Sequence, residues 1–167
     1  EHNTIENVVI YSASRYPEVV SAFQENFLSK LMSAEREPLV ERIAWMMNVA
    51  KALIIPILAT AEDVSADVDM LPRLKALLPQ GQEVFNKMVF SLYGQKDIRH
   101  ALEVLKRKDL VLVGQETDVC IAQSAIDLVD AGYRVWVADD ATGSPGPHHE
   151  AGLQRMRSAG VVVSGIK

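Results

Sequence analysis

The sequence of 167 residues contains a single cysteine, Cys120. One thiol excludes an intrachain disulfide framework and is typical of a reducing compartment, so we expect a cytoplasmic protein. No apolar run reaches the roughly 18–20 residues that a membrane span needs, and no signal peptide is visible. These absences predict a protein without a membrane partner.

Positive charge is also scarce. The chain has 17 Lys and Arg residues against 22 Asp and Glu residues, a net charge of −5. Proteins that bind nucleic acid concentrate positive charge to neutralise phosphates, so we expect no nucleic-acid partner. Hydrophobic residues make up 49% and charged residues 23%, which indicates a folded globular chain. The length predicts one domain over residues 1–167, with residues 1–15 as a candidate N-terminal extension.

Short runs rich in valine and isoleucine alternate with longer stretches of helical spacing. The short runs predict buried strands at residues 8–11, 54–58, 83–85, 110–113, 134–138 and 161–163. The longer stretches predict helices at residues 38–53, 96–107 and 121–131, with a short helix around residues 71–77. Pro38 suits a first helical turn, and Gly132 suits a C-terminal cap. This alternation predicts an α/β fold with three layers, in which helices cover both faces of a doubly wound, mostly parallel sheet.

The stretch GQETDVC, residues 114–120, directly follows a predicted strand. Ligands of doubly wound sheets bind beyond the carboxyl ends of the strands. Thr117 or Asp118 is a plausible N-cap, which would place Cys120 in the first turn of a helix. Free N–H groups and the helix dipole there favour a thiolate and can stabilise an oxyanion. A lone cysteine is otherwise a small apolar core residue. Spacer and nucleophile are both open interpretations of Cys120 at this point.

Residues 111–144, VLVGQETDVCIAQSAIDLVDAGYRVWVADDATGS, resemble the signature of the isochorismatase-like cysteine hydrolases. The positions that fit this signature are Gly114, Thr117, Asp118, Cys120, Ala125, Gly132, Tyr133, Val135, Asp140 and Ala141. This family includes isochorismatases, nicotinamidases and carbamoyl-hydrolysing enzymes. The resemblance implies an isochorismatase-like fold and Cys120 as the nucleophile. The implied substrate is a small amide or related carbonyl compound.

The same resemblance implies a cis peptide bond between Gln115 and Glu116. That bond would direct the N–H of Glu116, together with that of Cys120, into an oxyanion hole. Gln115 and Thr117 then become candidate pocket residues. The turn as a whole is predicted to hold both the attacking group and the donors that stabilise the attacked carbonyl.

A second motif, EVFNKMVFS at residues 83–91, is similar to the family's strand that ends in lysine and is followed by Phe-Ser. By resemblance, Lys87 is the site lysine, whose charge holds the thiolate and the substrate. The alternative is a solvated lysine at a strand end. The spacing to Cys120 and the pair Phe90-Ser91 favour the site.

The family's third site residue has no counterpart here. In the family the first strand ends in an aspartate that takes the thiol proton and passes it to the leaving group. The closest match is residues 19–27, VVSAFQENF, in which Ala22 occupies the aspartate position. An alternative alignment at residues 8–13 also supplies no carboxylate. The first aspartate of the chain is Asp63, which opposes a third interpretation, that the first strand is simply misaligned.

No metal and no cofactor are expected. Nicotinamidase-like members carry a metal site of one aspartate and several histidines after the second strand. Here Glu62 and Asp63 are followed by no histidine before His100. The pair His148-His149 is interpreted as solvated in a loop. Glu62 remains a candidate pocket residue, by analogy with a polar residue after that strand.

Two functions are compatible with these residues. One is a hydrolase in which Cys120 attacks, Lys87 holds the charge, and Glu25 or a water carries the proton; losing the usual base costs about 10²–10⁴-fold in rate. The alternative is a catalytically impaired relative that serves as a small-molecule-binding or assembly module. Family members assemble as dimers or tetramers, so a homo-oligomer is implied. The run Trp45-Met46-Met47 is either its contact or a core stripe. The sequence does not identify the substrate.

Overall fold

The computed structural model describes residues 7–12, 31–62 and 70–166. Within these residues, six parallel strands form one sheet in the order β3-β2-β1-β4-β5-β6. The strands are β1 (Asn7–Ser12), β2 (Ile57–Glu62), β3 (Val84–Lys87), β4 (Asp109–Gln115), β5 (Arg134–Gly143) and β6 (Val162–Ser164). Part of residues 1–15 therefore pairs within the sheet, as β1, one of its two central strands.

Helices connect the strands, as parallel pairing requires. They are α1 (Ser33–Ala52), α2 (Pro72–Lys75), α3 (Lys96–Leu105), α4 (Ala122–Asp130) and α5 (His148–Ser158), with a 3₁₀ turn at Leu92–Gly94 and a π-helical turn at Thr117–Ile121. Leu110 and Leu112 of β4 pack with α3, α4 and α5, whereas Val113 packs with α1 and α2. The predicted three-layer α/β/α fold is confirmed. Among the helices that the structure describes, none has both the length and the apolar character needed to cross a membrane.

The helix predictions need three corrections. Helix α1 begins five residues before Pro38, because Glu35 in its first turn accepts a hydrogen bond of 3.1 Å from the backbone N–H of Met32. Pro38 thus lies inside the helix. Helix α3 ends at Leu105, two residues early, since Lys106 adopts a left-handed backbone with φ 51°. Helix α5 was not predicted at all.

The cap at Gly132 is as predicted. Its φ is 89°, its N–H donates to the Val129 carbonyl at 2.9 Å, and the N–H of Tyr133 donates to the Leu128 carbonyl at 3.0 Å. These two bonds form a Schellman motif, in which glycine is favoured because it has no Cβ. The short helix α2 also lies where it was predicted, within residues 71–77.

The second strand begins at Ile57, three residues later than predicted. Helix α1 instead ends in a Schellman motif in which Ile54 adopts the left-handed conformation, with φ 57°. The N–H of Ile54 donates to the Lys51 carbonyl at 3.1 Å, and that of Ile55 to the Ala50 carbonyl at 2.8 Å. The Ile54 side chain is 91% exposed. A β-branched residue in the left-handed conformation is an outlier. The apolar run that begins at Ile54 indicated a strand, but its first residues belong to the end of α1.

We expect Ile54→Gly to raise the free energy of unfolding by about 1 kcal/mol. The left-handed conformation costs an L-residue about 1–2 kcal/mol, and the greater freedom of glycine in the unfolded chain offsets about 0.5–1 kcal/mol of that gain. Urea denaturation measures the change. Leu53→Gly is the control, because Leu53 has φ −92° and gains nothing from glycine. Equal changes in the two variants would contradict the strain at Ile54.

The topology brings the carboxyl ends of four neighbouring strands, β1 to β4, to one edge of the sheet. Ser12 at the end of β1 pairs with Gly114 of β4 on one side and with Thr60 of β2 on the other. Glu62 ends β2 in register with Lys87, which ends β3. The chain order reverses between β1 and β4, and this switch point is where open α/β sheets bind ligands.

Candidate active site

The turn that carries the cysteine connects β4 to α4. It begins with a cis peptide bond between Gln115 and Glu116, as the resemblance implied. The N-cap is Glu116, with φ −90° and ψ 140°, and not Thr117 or Asp118. The N–H of Ile121 donates to the Glu116 carbonyl at 3.0 Å, five residues back, which makes the first turn π-helical. Cys120 lies in this turn and is fully buried.

Lys87 meets the cysteine from the end of β3. Its Nζ lies 3.5 Å from Cys120 Sγ and donates to the Val89 carbonyl at 2.7 Å and the Phe90 carbonyl at 3.3 Å. The exposed fraction of Lys87 is 0%, so the interpretation as a solvated lysine is wrong. A buried ammonium needs hydrogen-bond partners, and the thiol is one of them. The burial of Cys120 alone would fit a core spacer, but a core spacer would not have an ammonium against its sulfur.

The N-cap prediction failed because the two polar side chains of the turn bind elsewhere. Thr117 Oγ1 lies 2.9 Å from Nδ1 of His149, and Ser144 Oγ donates to Asp118 Oδ1 at 2.6 Å. Both partners belong to the β5–α5 connection and the start of α5. Residues outside the stretch GQETDVC therefore hold this turn in place.

Helix α5 approaches this turn very closely. A Cβ placed on Gly152 would lie 2.7 Å from Asp118 Cα and 2.8 Å from its backbone nitrogen. Arg155, one turn further along α5, donates to the Gln123 side chain at 2.8 Å. The absence of a side chain at Gly152 thus allows α5 to pack directly on the turn.

The two adjacent histidines have different surroundings. His148 is exposed, but His149 is half-buried against Thr117, so the interpretation of both as solvated is wrong. Burial lowers the pKa of His149 from its ordinary value, although Asp139 and Glu150 partly oppose this. The imidazole is then mainly neutral near pH 7 and can exchange a hydrogen bond with a hydroxyl. The local signal was Met156, seven residues after His149, which marks the buried face of a helix.

A cavity of about 420 Å³ lies next to the cysteine turn, between α1, the end of β5 and the start of α5. His149 and Ser144 contribute to its lining, together with the charged side chains of Glu35, Arg42, Asp139 and Asp140. Arg42 Nε lies 3.9 Å from Asp140 Oδ2. Asp140 also accepts a hydrogen bond of 2.9 Å from the backbone N–H of Ile166. This aspartate therefore connects β5 with α1 and with the chain that follows β6.

Two of the predicted site residues, Ala22 and Glu25, lie outside the described residues, which for the first strand are Asn7–Ser12. None of the residues of β1 is an aspartate or a glutamate. Within residues 7–12, 31–62 and 70–166, no group of three or more His, Cys, Asp or Glu side chains could hold a metal ion.

The chain is similar to one family along most of its length. The model of the Isochorismatase domain family matches residues 19–167. Isochorismatase family protein 2A of Dictyostelium discoideum is 30% identical over 148 residues, which cover 84% of this chain and 73% of that protein. The secreted isochorismatase effector Isc1 of Phytophthora sojae is 30% identical over 134 residues, which cover 73% of this chain and 60% of that protein. This chain thus spans only part of the length of these relatives.

The fold agrees with this similarity. The crystal structure of the Escherichia coli YcaC gene product, an octameric hydrolase of unknown specificity, superposes with a TM-score of 0.80 at 20% identity. The superposition covers 96% of this chain and 76% of that chain. From the sequence match and the shared fold, we conclude that the chain belongs to the isochorismatase family.

Proposed function

We propose that this protein is an isochorismatase-family hydrolase that attacks a small amide or related carbonyl compound with the thiolate of Cys120. The observation that supports this most is the Lys87 ammonium, buried 3.5 Å from the sulfur at the carboxyl edge of the sheet. A positive charge beside a thiol favours the thiolate, which is the nucleophilic form. Cys120 follows β4, one of the two strands that flank the switch point, and ligands are expected there.

The proposed reaction has two stages. The sulfur of Cys120 bonds to the carbonyl carbon, and the electrons of the C=O bond move to its oxygen, which the N–H groups of Glu116 and Cys120 stabilise. The oxygen then re-forms the carbonyl and expels the amine, which receives the proton that the thiol lost, carried by Glu25 or a water. Water adds to the resulting thioester in the same way, which releases the acid and restores the thiol. Gln115, Thr117 and Glu62 stay candidate pocket residues in this proposal.

The proton carrier distinguishes this function from the second candidate. No Asp or Glu occurs between Asn7 and Ser12, so strand β1 does not provide the family's general base. This favours a second candidate function, a catalytically impaired relative that binds a small molecule. In the hydrolase proposal, Glu25 or a water takes that role.

A thiol-alkylation rate tests the proposal. We expect iodoacetamide to modify Cys120 about tenfold faster than free cysteine near pH 7, because the thiolate is the reacting form. Mass spectrometry measures the adduct without ambiguity, since the chain has one cysteine. Hydrolysis itself is measured as the release of amine from small amides. The variant Cys120→Ser should release none. A rate no faster than that of free cysteine would favour the binding module.

Assembly and location belong to the same proposal. We propose a homo-oligomer, which the octameric state of the Escherichia coli YcaC hydrolase supports. Trp45 on α1 is 52% exposed, whereas Met47 is fully buried in the core, so the run Trp45-Met46-Met47 serves both as core and as surface. The single thiol supports a cytoplasmic location.

A further inference from the structure

The chain that follows β3 encloses the ammonium of Lys87. We call residues 88–92 the lysine loop. Two of its carbonyls, those of Val89 and Phe90, accept hydrogen bonds from Nζ at 2.7 and 3.3 Å. The position of the ammonium is therefore set by this loop as well as by the sulfur. Whatever fixes the loop relative to Cys120 also fixes the ammonium relative to the thiol.

Ser124 fixes the loop to the helix that follows Cys120. It is fully buried on α4, four residues after the cysteine and hence on the same helical face. Its Oγ accepts the N–H of Leu92 at 3.0 Å and donates to the Phe90 carbonyl at 3.4 Å. The Phe90 carbonyl thus receives both the Ser124 hydroxyl and the Lys87 ammonium.

A second side chain holds the loop in a different way. Oε1 of Gln95 accepts the N–H of Met88 at 2.7 Å, and its Nε2 donates to the Asn86 carbonyl. Gln95 therefore closes the loop onto its own strand and does not connect it to α4. Ser124 makes the connection between the ammonium and the cysteine helix.

We propose that Ser124 is a positioning residue for the pair of Lys87 and Cys120. Its hydroxyl holds the Phe90 carbonyl where the ammonium can use it, and this keeps the ammonium against the sulfur. The proposal rests on the proposed function, in which Lys87 stabilises the thiolate. One hydroxyl accepts from Leu92 and donates to Phe90 at the same time, whereas alanine does neither.

The test compares pH profiles of Cys120 alkylation by iodoacetamide, for Ser124→Ala, Ser124→Thr and Lys87→Met. We expect Ser124→Ala to shift the profile to higher pH, so that the rate near pH 7 falls roughly tenfold while the maximum at high pH is unchanged. Ser124→Thr keeps the wild-type profile. The double variant of Ser124→Ala with Lys87→Met reacts no more slowly than Lys87→Met alone, because both changes act through the same ammonium.

Ser158→Ala is the matched control, since it removes a helix hydroxyl that bonds to the Gln154 carbonyl on α5, away from the loop. A wild-type profile for Ser124→Ala, with a shifted profile for Lys87→Met, overturns the positioning role and leaves the proposed function standing. Unshifted profiles in both variants overturn both. If the alanine variant does not fold, Ser124→Val against Ser124→Thr decides, since the two differ only in the hydroxyl and overlapping profiles reject the proposal.

Discussion

Lys87→Met should slow the alkylation of Cys120 near pH 7 by about 10²-fold, because an opposite charge within hydrogen-bond distance changes the thiolate population by about that factor. Methionine keeps most of the volume of the lysine stem and removes only the ammonium, 3.5 Å from the sulfur. The ammonium stabilises the thiolate, so removal of the ammonium moves the alkylation profile to higher pH. The difference is largest near neutral pH and becomes smaller as the pH rises and more of the thiol ionises.

The alkylation rate is measured from about pH 5.5 to about pH 10.5, a range that spans the ordinary thiol pKa, with iodoacetamide in excess. Lys51→Met is the control, because Lys51 is exposed in the last turn of α1. Thermal unfolding of each variant shows whether the fold survives the loss of the ammonium, which also removes a donor from the Val89 and Phe90 carbonyls. Superimposable profiles for wild type and Lys87→Met would remove the basis of the proposed function.

Gly152→Ala should lower the free energy of unfolding by about 2 kcal/mol, because overpacking against backbone costs about 1–3 kcal/mol. The added Cβ would meet Asp118 Cα at 2.7 Å, and backbone atoms cannot turn aside as a side chain can. Helix α5 must therefore move away from the turn. Alanine is the better helix former by about 1 kcal/mol, so a net loss of stability measures the contact and not the propensity.

Urea denaturation provides the measurement, and Gly94→Ala is the control. A Cβ on Gly94 would meet its nearest neighbour, a Val89 methyl, at 3.7 Å, which is ordinary van der Waals contact. We expect Gly94→Ala to change the stability by no more than about 0.5 kcal/mol. A Gly152→Ala variant as stable as the wild type would mean that α5 does not pack against the backbone of the cysteine turn as closely as described.

Much of the fold was predictable because parallel strands buried on both faces are apolar without interruption. Leu110 and Leu112 face one layer and Val113 faces the other, so the run was visible in the sequence. The same reasoning failed at Ile54, whose run of apolar residues belongs partly to the end of α1. It also truncated β5, which continues to Gly143 through polar residues beyond the predicted end at residue 138.

Helix α5 was missed because its apolar positions are few. Leu153 and Met156 are buried three residues apart, and Gly160 follows with φ 89° as a cap, but most of the intervening positions are polar. The helix is stabilised by tertiary packing more than by its own pattern. Its closest contact depends on Gly152, and a missing side chain leaves no signal in a hydrophobic pattern.

The candidate site was predictable where it depends on local motifs. GQETDVC and the lysine at the end of β3 pointed to Cys120 and Lys87, and parallel pairing brought both to one edge of the sheet. The contributions of His149, Ser144 and Ser124 depend on tertiary contacts that no spacing reveals. The roles of Ala22 and Glu25 stay predictions.

The acceptors that surround the ammonium have a consequence for how freely this sequence can change. Val89 and Phe90 receive Lys87 through main-chain oxygens, while their side chains, like that of Met88, point outward and are about half exposed or more. Any amino acid supplies the same carbonyl. Substitutions at Met88, Val89 and Phe90 can therefore change the polarity of the outer surface of the lysine loop without removing the main-chain oxygens that bind the Lys87 ammonium.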